Sequence, residues 1–370
     1  MKYRTYIAKR IVMLIPVIVG VTFFTFFLSN YVGNPLTAYL DEFMINRMTD
    51  EEIEELEHQL GLDRPWFIRY FSYIQDMVGG FLDVVSGTHS EESQSMFAFS
   101  GLLAAFPATA ELAIISMALS LLIGIPIGIH SATSKRKVKA NVSRGLALIG
   151  VGIPIYVAAY FLKVTIIYTT FSIDALFNHS WIHLYKIFPY AGRYSETVYT
   201  YPAQLAFGLF PPTGFLLLDS LLSLNIPLFL DGFLHLLLPA SILAFAQIAY
   251  ISRMTRASMV EVLKEDYILY AKSKGLHEKT ILYRHALINA LFPVLTTSTL
   301  ILASLFTGVV FVEYIFEWPG MAQLATIAVL NLHLDTIMSF VILSAFIYVG
   351  CNLCADLAYA WLDPRVREKL

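Results

Sequence analysis

The sequence predicts an all-α membrane protein with six transmembrane helices. Composition, the length of the apolar runs and the placement of charge carry that prediction. Of the 370 residues 57% are apolar and 14% charged, with 27 Phe and 21 Tyr. Mean hydropathy is +0.65, outside soluble globular usage. Several apolar runs approach the roughly 20 residues that cross a bilayer as a helix. Each such run has to satisfy its own backbone groups in lipid, which leaves a helix as the solution. Nineteen of the 25 Lys and Arg fall in four segments, Lys2 to Arg10, Lys135 to Arg144, Arg253 to Arg284 and Arg365 to Lys369. These segments alternate with the apolar runs as cytoplasmic loops do, so both termini are expected on the cytoplasmic side of the cell (inner) membrane.

The spans are expected at 11–31, 109–130, 145–169, 235–253, 287–311 and 336–361. The first follows Lys2, Arg4, Lys9 and Arg10, as a signal peptide would. The run Ile11 to Leu28 is too long for a signal core, however, and "SNYVGNPL" offers no small-residue cleavage site, so the span is read as retained. Three parts follow: 1–105, the first helix with an outer segment; 106–364, a core of five spans with a polar loop at 254–286; and a cytoplasmic tail at 365–370. Within the outer segment, Ile53, Leu56 and Leu60 fall at helical spacing in the acidic "DEEIEELEHQLGLD", which reads as a solvated cap helix. The aromatic "RPWFIRYFSYIQDMVGGF" that follows reads as an amphipathic helix near the outer interface. A second outer segment, 170–234, is rich in aromatics and Pro without a period, and no element is assigned to it.

Pro107 and Thr109 suit the first turn of the second span, with Glu111 favoured there by the helix dipole; the rival role for Glu111 is a pathway acid. Lys163, late in the third span, is read as snorkelling outward in preference to holding a substrate carboxylate. Asn352 and Asp356, one turn apart in the last span, form a polar seam to a neighbouring helix. Cys351 and Cys354 have redox spacing but lie in an apolar run with no further ligands, so they are read as packing. His179 and His183 are read as surface, and no metal site is expected. Glu313, Glu317, Trp318, Pro319 and Gly320 follow the fifth span as an interfacial turn anchored by the Trp.

The stretch Asp266 to His285 is out of character. It carries four basic side chains and two histidines in an otherwise oily chain. A short helix over Tyr267 to Lys274 is expected to end at Gly275 in a left-handed turn, and a second helix climbs back into the membrane from Glu278. Ala271 and Gly275, four apart, would make a small flat spot on one face, ringed by Lys272, Lys274, Lys279 and Arg284. The interleaved Tyr267, Ile268, Leu269 and Tyr270 need something to pack against, which points to a docking element for a soluble cytoplasmic partner.

"YAKSKGLHEKTILYRHALINALFPVLT" resembles the cytoplasmic signature loop of ATP-binding-cassette importer permeases, in the dipeptide/oligopeptide branch. The same branch is resembled, in order, by "YIAKRIVMLIPVIVGVTFFTFFL", "QLGLDRPWFIRYFSYI", "FPATAELAIISMALSLLIGIPIGI", "LLLPASILAFAQIAYISRMTRASMVEVLKEDY", "VVFVEYIFEWPGMAQL" and "NLCADLAYAWLDPRVR". Leu269 and Tyr270 replace the Glu-Ala that opens the broader signature, and His285, Ala286, Leu287 and Ile288 replace its Ile-x-Leu-Pro. His277 stands where the branch has a capping Ser, and 170–234 is longer than in the branch.

The resemblance implies a type I importer permease fold and no catalysis by this chain. An ATPase-coupling loop is implied at Asp266, Tyr267, Ala271, Lys272, Lys274, Gly275, Leu276, Arg284, His285 and Leu287. Glu313, Trp318, Pro319 and Gly320 become candidates for an outer gate or pathway. Implied partners are a second homologous permease, two ATPase subunits, an external solute-binding protein and membrane lipid; nucleic acid is not among them. The chain has no G-x-x-x-x-G-K-[ST], so it is expected to bind no cofactor itself, with ATP and Mg used by the partner subunits. Peptides are the expected cargo, with nickel or oligosaccharides as alternatives. A secondary transporter, which needs no ATPase, and a membrane scaffold are the readings from other classes.

Overall fold

The computed structural model describes residues 12, 15–27, 36, 44, 47–59, 61–86, 94–133, 152–177, 189–195, 213–307, 309–331 and 333–362. The basic segments Lys2 to Arg10, Lys135 to Arg144 and Arg365 to Lys369 lie outside them, as do His179 and His183 and the side chain of Asp356. All regular structure among the described residues is helical. In chain order it comprises α1 (Ile15–Phe27), α2 (Asp50–Gln59), α3 (Trp66–Ser86), α4 (Gln94–Thr133), α5 (Ile155–Phe177) and α6 (Leu216–Leu222). There follow α7 (Ile226–Val262), α8 (Asp266–Ser273), α9 (Glu278–Phe306), α10 (Val310–Ile315), α11 (Met321–Leu330) and α12 (Leu334–Leu362).

Four helices carry stretches long and apolar enough to span a bilayer: Phe99–Thr133, Ile226–Val262, Glu278–Phe306 and Thr336–Cys354. Ile15–Phe27 and Ile155–Thr169 are shorter apolar stretches at the expected first and third spans. Four of the six expected spans therefore appear, in order, as helices long enough to cross a bilayer, and shorter apolar helices stand at the other two. The 40 residues of α4 and 37 of α7 are roughly 60 and 55 Å long at 1.5 Å per residue, about twice the hydrocarbon thickness. Both helices must continue well outside the lipid. A hydropathy window finds only the stretch inside lipid, which is why the expected ends fell short.

The chain divides into two compact units, one of Met1–Thr109, Phe306–Val310 and Pro319–Leu370, the other of Ala110–Leu305 and Phe311–Trp318. In the first, α2 starts with a reciprocal cap: Thr49 N–H donates to Glu52 Oε2 at 2.8 Å, and Glu52 N–H to Thr49 Oγ1 at 3.4 Å. Gly61, at φ +66, turns the chain out of α2. The expected aromatic helix is α3, and Tyr70 seats it on α1: the Tyr70 ring lies 5.6 Å from Phe23 and 5.5 Å from Phe26, and its hydroxyl lies 2.9 Å from Thr22 Oγ1. Trp66, Phe67 and Phe71 remain exposed. Thr109 Oγ1 accepts the first N–H of α11, from Met321, at 2.9 Å, and Phe99, Leu102, Met321 and Leu343 form the local core.

The second unit is organised by α4 crossing α7. A Cβ on Gly124 would come within 2.9 Å of Ile251 Cγ2, and one on Gly128 within 2.5 Å of Thr255 Cβ and 2.8 Å of the Ser252 carbonyl oxygen. This is a small-xxx-small crossing, the device by which helices in lipid gain close backbone packing. Beside it, Ser116 and Ser120 return their hydroxyls to the carbonyls of Leu112 and Ser116, whereas Thr255 Oγ1, at the crossing itself, is buried and finds no hydrogen-bond partner among the described residues. Asn225 caps α7 by accepting from Leu228 N–H at 3.2 Å, with Pro227 in the first turn.

Candidate functional site

The polar loop 254–286 builds as the sequence suggested, with one exchange of faces. α8 ends in a Schellman turn: Leu276 N–H donates to the Ala271 carbonyl at 3.4 Å and Gly275 N–H to the Lys272 carbonyl at 2.9 Å. Gly275 supplies the left-handed residue at φ +73, and a Cβ there would meet nothing within 4 Å. His277 then caps the next helix, its Nδ1 accepting from Lys279 N–H at 3.3 Å. One turn of π-helix, Ile281–Ala286, leads into the apolar part of α9.

Ala271 does not share an exposed spot with Gly275. It is 6% exposed and packs with Ile129, Met259, Ile268, Ile281 and Ala286. The reason is that Ile268 and Ala271 fall on one side of α8, and only a small residue at 271 lets that side settle on α4, α7 and α9. Leu282 and Leu287 pack against the same cluster. The apolar interleaving thus divides: Ile268, Ala271 and Ile281 nail the loop to the ends of three long helices, whereas Leu269, Tyr270, Leu276 and Tyr283 stay exposed, Tyr270 at 63%.

Charge and hydrogen bonding finish the exposed face. Lys274 Nζ lies 4.6 Å from the centroid of the Tyr270 ring, a cation–π pair. Asn289 Nδ2 donates to the Tyr267 hydroxyl at 2.8 Å and to the His285 carbonyl at 3.2 Å, tying α8 to α9. Asp266, Lys272, Lys274 and Arg284 are exposed and His285 is half-buried. The loop therefore presents an exposed aromatic face bearing Lys272, Lys274 and Arg284 over a buried apolar base.

The candidates beyond the fifth span separate. Glu313 and Trp318 are fully buried, Gly320 is buried at the start of α11, and Pro319 is exposed. Trp318 is thus no interfacial anchor: the chain ends α10 in a second Schellman turn, with Trp318 N–H donating to the Glu313 carbonyl at 2.8 Å, and folds the indole inward. Glu317 is the left-handed residue of that turn at φ +52. It holds Lys163, whose Nζ donates to Glu317 Oε1 at 2.9 Å and to the Ile315 carbonyl at 2.5 Å. Lys163 is 15% exposed, so it is paired within the protein and does not snorkel.

Glu111 is likewise reassigned. Because α4 starts at Gln94, Glu111 stands in its interior, far from the positive end of its own helix. Its carboxylate instead accepts from Arg193 Nη2 at 2.7 Å and from Leu217 N–H at 2.8 Å. Around it, Asp219 accepts from Thr213 Oγ1 at 2.6 Å and from Gly214 N–H at 3.0 Å. Asp231 accepts from Ser195 N–H at 2.6 Å and Oγ–H at 2.8 Å. His235 Nδ1–H donates to the Asp231 carbonyl at 2.9 Å. Arg193, Ser195, Asp219, Asp231 and His235 were not singled out from the sequence, where the only signal was polar residues in, and in the case of His235 bordering, a segment without a period. Asn352 Oδ1 is buried and finds no hydrogen-bond partner among the described residues.

Residues 124–368 match the family of binding-protein-dependent transport system inner membrane components. The whole chain is similar to a probable D,D-dipeptide transport system permease protein of Escherichia coli, at 34% identity over 99% of this chain and 98% of the relative. It is 32% identical to a di/tripeptide transport system permease protein of Pseudomonas aeruginosa over 99% of each. With an oligopeptide transport system permease protein of Bacillus subtilis it shares 30% over 98% of each.

Proposed function

This chain belongs to the family of binding-protein-dependent transport system inner membrane components, and on that footing we propose that it is a permease subunit of an ATP-driven importer of di- or oligopeptides. It is a multi-pass protein of the inner membrane. With a second permease it lines the pathway, while two ATPase subunits bind ATP and Mg on the cytoplasmic side and an external binding protein delivers the peptide. The clustering of Lys and Arg supports cytoplasmic termini and a cytoplasmic 254–286 loop. The names of the relatives, all peptide permeases, support the cargo.

The observation that carries the reading is the two-faced loop. Its inner side is welded to the ends of α4, α7 and α9 through Ile268, Ala271 and Ile281, and its outer side offers Leu269, Tyr270 and Leu276 beside an open left-handed Gly275. A partner that moves this face moves three membrane helices. Of the outer-gate candidates, Pro319, which is exposed, is proposed to border the outer pathway.

Replacing Gly275 by Trp tests this. The variant remains in the membrane, ATP hydrolysis by the complex continues, and ATP-dependent peptide uptake into proteoliposomes is lost. Undiminished uptake would count decisively against the docking role. Recovery of two ATPase chains and a second permease with this chain in mild detergent checks the assembly.

A further inference from the structure

We infer that residues 189–195 form a permanent latch that holds together α4, α5 and α7 far from the 254–286 loop, making these helices one lever. The inference rests on the permease reading, because a lever matters only if the loop is driven. Four of these residues reach five places in the fold. Arg193 donates to Glu111 of α4 at 2.7 Å and to the Gly214 carbonyl at 2.8 Å. Ser195 gives both its N–H and its hydroxyl to Asp231 of α7. Gly192 N–H donates to the Phe316 carbonyl at 3.0 Å. The Tyr190 ring lies 6.0 Å from Nζ of Lys163 in α5, and Lys163 itself grips Ile315 and Glu317.

These are not the attachments of a solvated connector. The side chains of Glu111, Arg193, Lys163 and Asp231 are 7%, 13%, 15% and 16% exposed. Removing one partner from a pair this buried leaves an uncompensated charge out of water, so the latch opens only with difficulty. The position along the rods matters too. Asp231 stands near one end of α7 and Met259, in the loop's cluster, near the other, up to about 42 Å apart at 1.5 Å per residue. On α4, Glu111 and Ile129 are about 27 Å apart on the same reckoning. Between these two points of attachment the Gly124 and Gly128 crossing holds α4 against α7. Helices tied at two separate points, and packed closely beside the one nearer the loop, transmit a displacement instead of absorbing it.

The test uses the intact complex in proteoliposomes with its binding protein and a labelled dipeptide. With Cys351→Ser and Cys354→Ser as background, Ser195→Cys and Asp231→Cys are introduced and oxidised to cross-link the latch to α7. The expected result is uptake at least half that of the reduced sample. Uptake that is abolished and returns with dithiothreitol would show that the latch must open, and would overturn the inference. Independently, Glu111→Gln should lower peptide imported per ATP hydrolysed severalfold, with Arg193→Lys milder. An unchanged ratio in Glu111→Gln would also overturn it. In the unmodified complex, the amides of Gly192 and Ser195 should resist hydrogen exchange equally with and without ATP; protection lost on adding ATP would refute a permanent latch. Failure of the unmodified complex to import peptide would instead refute the permease reading, and the exchange result would still judge the latch.

Discussion

Replacing Gly128 by Ala adds a single methyl where α4 crosses α7. The new Cβ would sit 2.5 Å from Thr255 Cβ and 2.8 Å from both Thr255 Cγ2 and the Ser252 carbonyl oxygen. Carbon atoms rest comfortably at about 3.5–4.0 Å, so the shortfall is about 1 Å or more. Neither Thr255 Cβ nor a helix carbonyl can swing aside as the tip of a long side chain would. The helices must part or bend, which costs on the order of 1–3 kcal/mol. In a chain this long that corresponds to roughly 1–4 °C in the thermal midpoint in detergent. Gly101→Ala is the matched control, since it lies in the same helix and a Cβ there meets nothing within 4 Å. It should be neutral or slightly stabilising, because Ala is the better helix former. Equal midpoints for the two variants would refute the close crossing.

Three further outcomes are expected. Leu224, 68% exposed, occupies a left-handed position at φ +57, so Leu224→Gly should raise stability by about 1 kcal/mol, read as a higher thermal midpoint. Ala271→Leu overfills the cluster beneath the loop and should destabilise the isolated chain by about 1–3 kcal/mol; an unchanged midpoint with loss of ATPase co-purification would instead place Ala271 on the docking face. Backbone N–H and hydroxyl bonds from Thr49 hold the Glu52 carboxyl below the usual carboxylate range. A depressed carboxylate stabilises α2 above its unfolded pKa, and that contribution is lost as pH falls through the folded one. Amide protection factors over 50–59 in the intact protein should therefore fall on acidification below about pH 4, and Glu52→Gln should abolish that step.

Much of the fold was legible because lipid leaves little choice. A long apolar run must be a helix, and Gly275 announces a left-handed turn because glycine alone adopts it freely. The same logic explains what was hidden. Leu224 and Glu317 make equivalent left-handed turns without glycine, so nothing in their identity marks a helix end. α4 and α7 run beyond the bilayer, and Pro107, which reads as a helix start, lies inside one.

The site divides in the same way. The basic, aromatic stretch Asp266 to His285 stood out by composition, and its short helix and turn follow from local chemistry. Which of its residues face inward was set by neighbours: Ala271 is covered only because Ile129 of α4 and Met259 of α7 arrive beneath it.

The sequence by itself determined the class of solvent, the order of the long apolar runs, and the loop that interrupts them, because these depend on the polarity of contiguous residues. Only the tertiary structure decided the partners of the buried charges. Glu111 meets Arg193 across 82 positions of chain and Lys163 meets Glu317 across 154. Pairing of that kind is a property of distance in space, and residues so far apart in sequence leave no mark on one another's surroundings until the helices have packed.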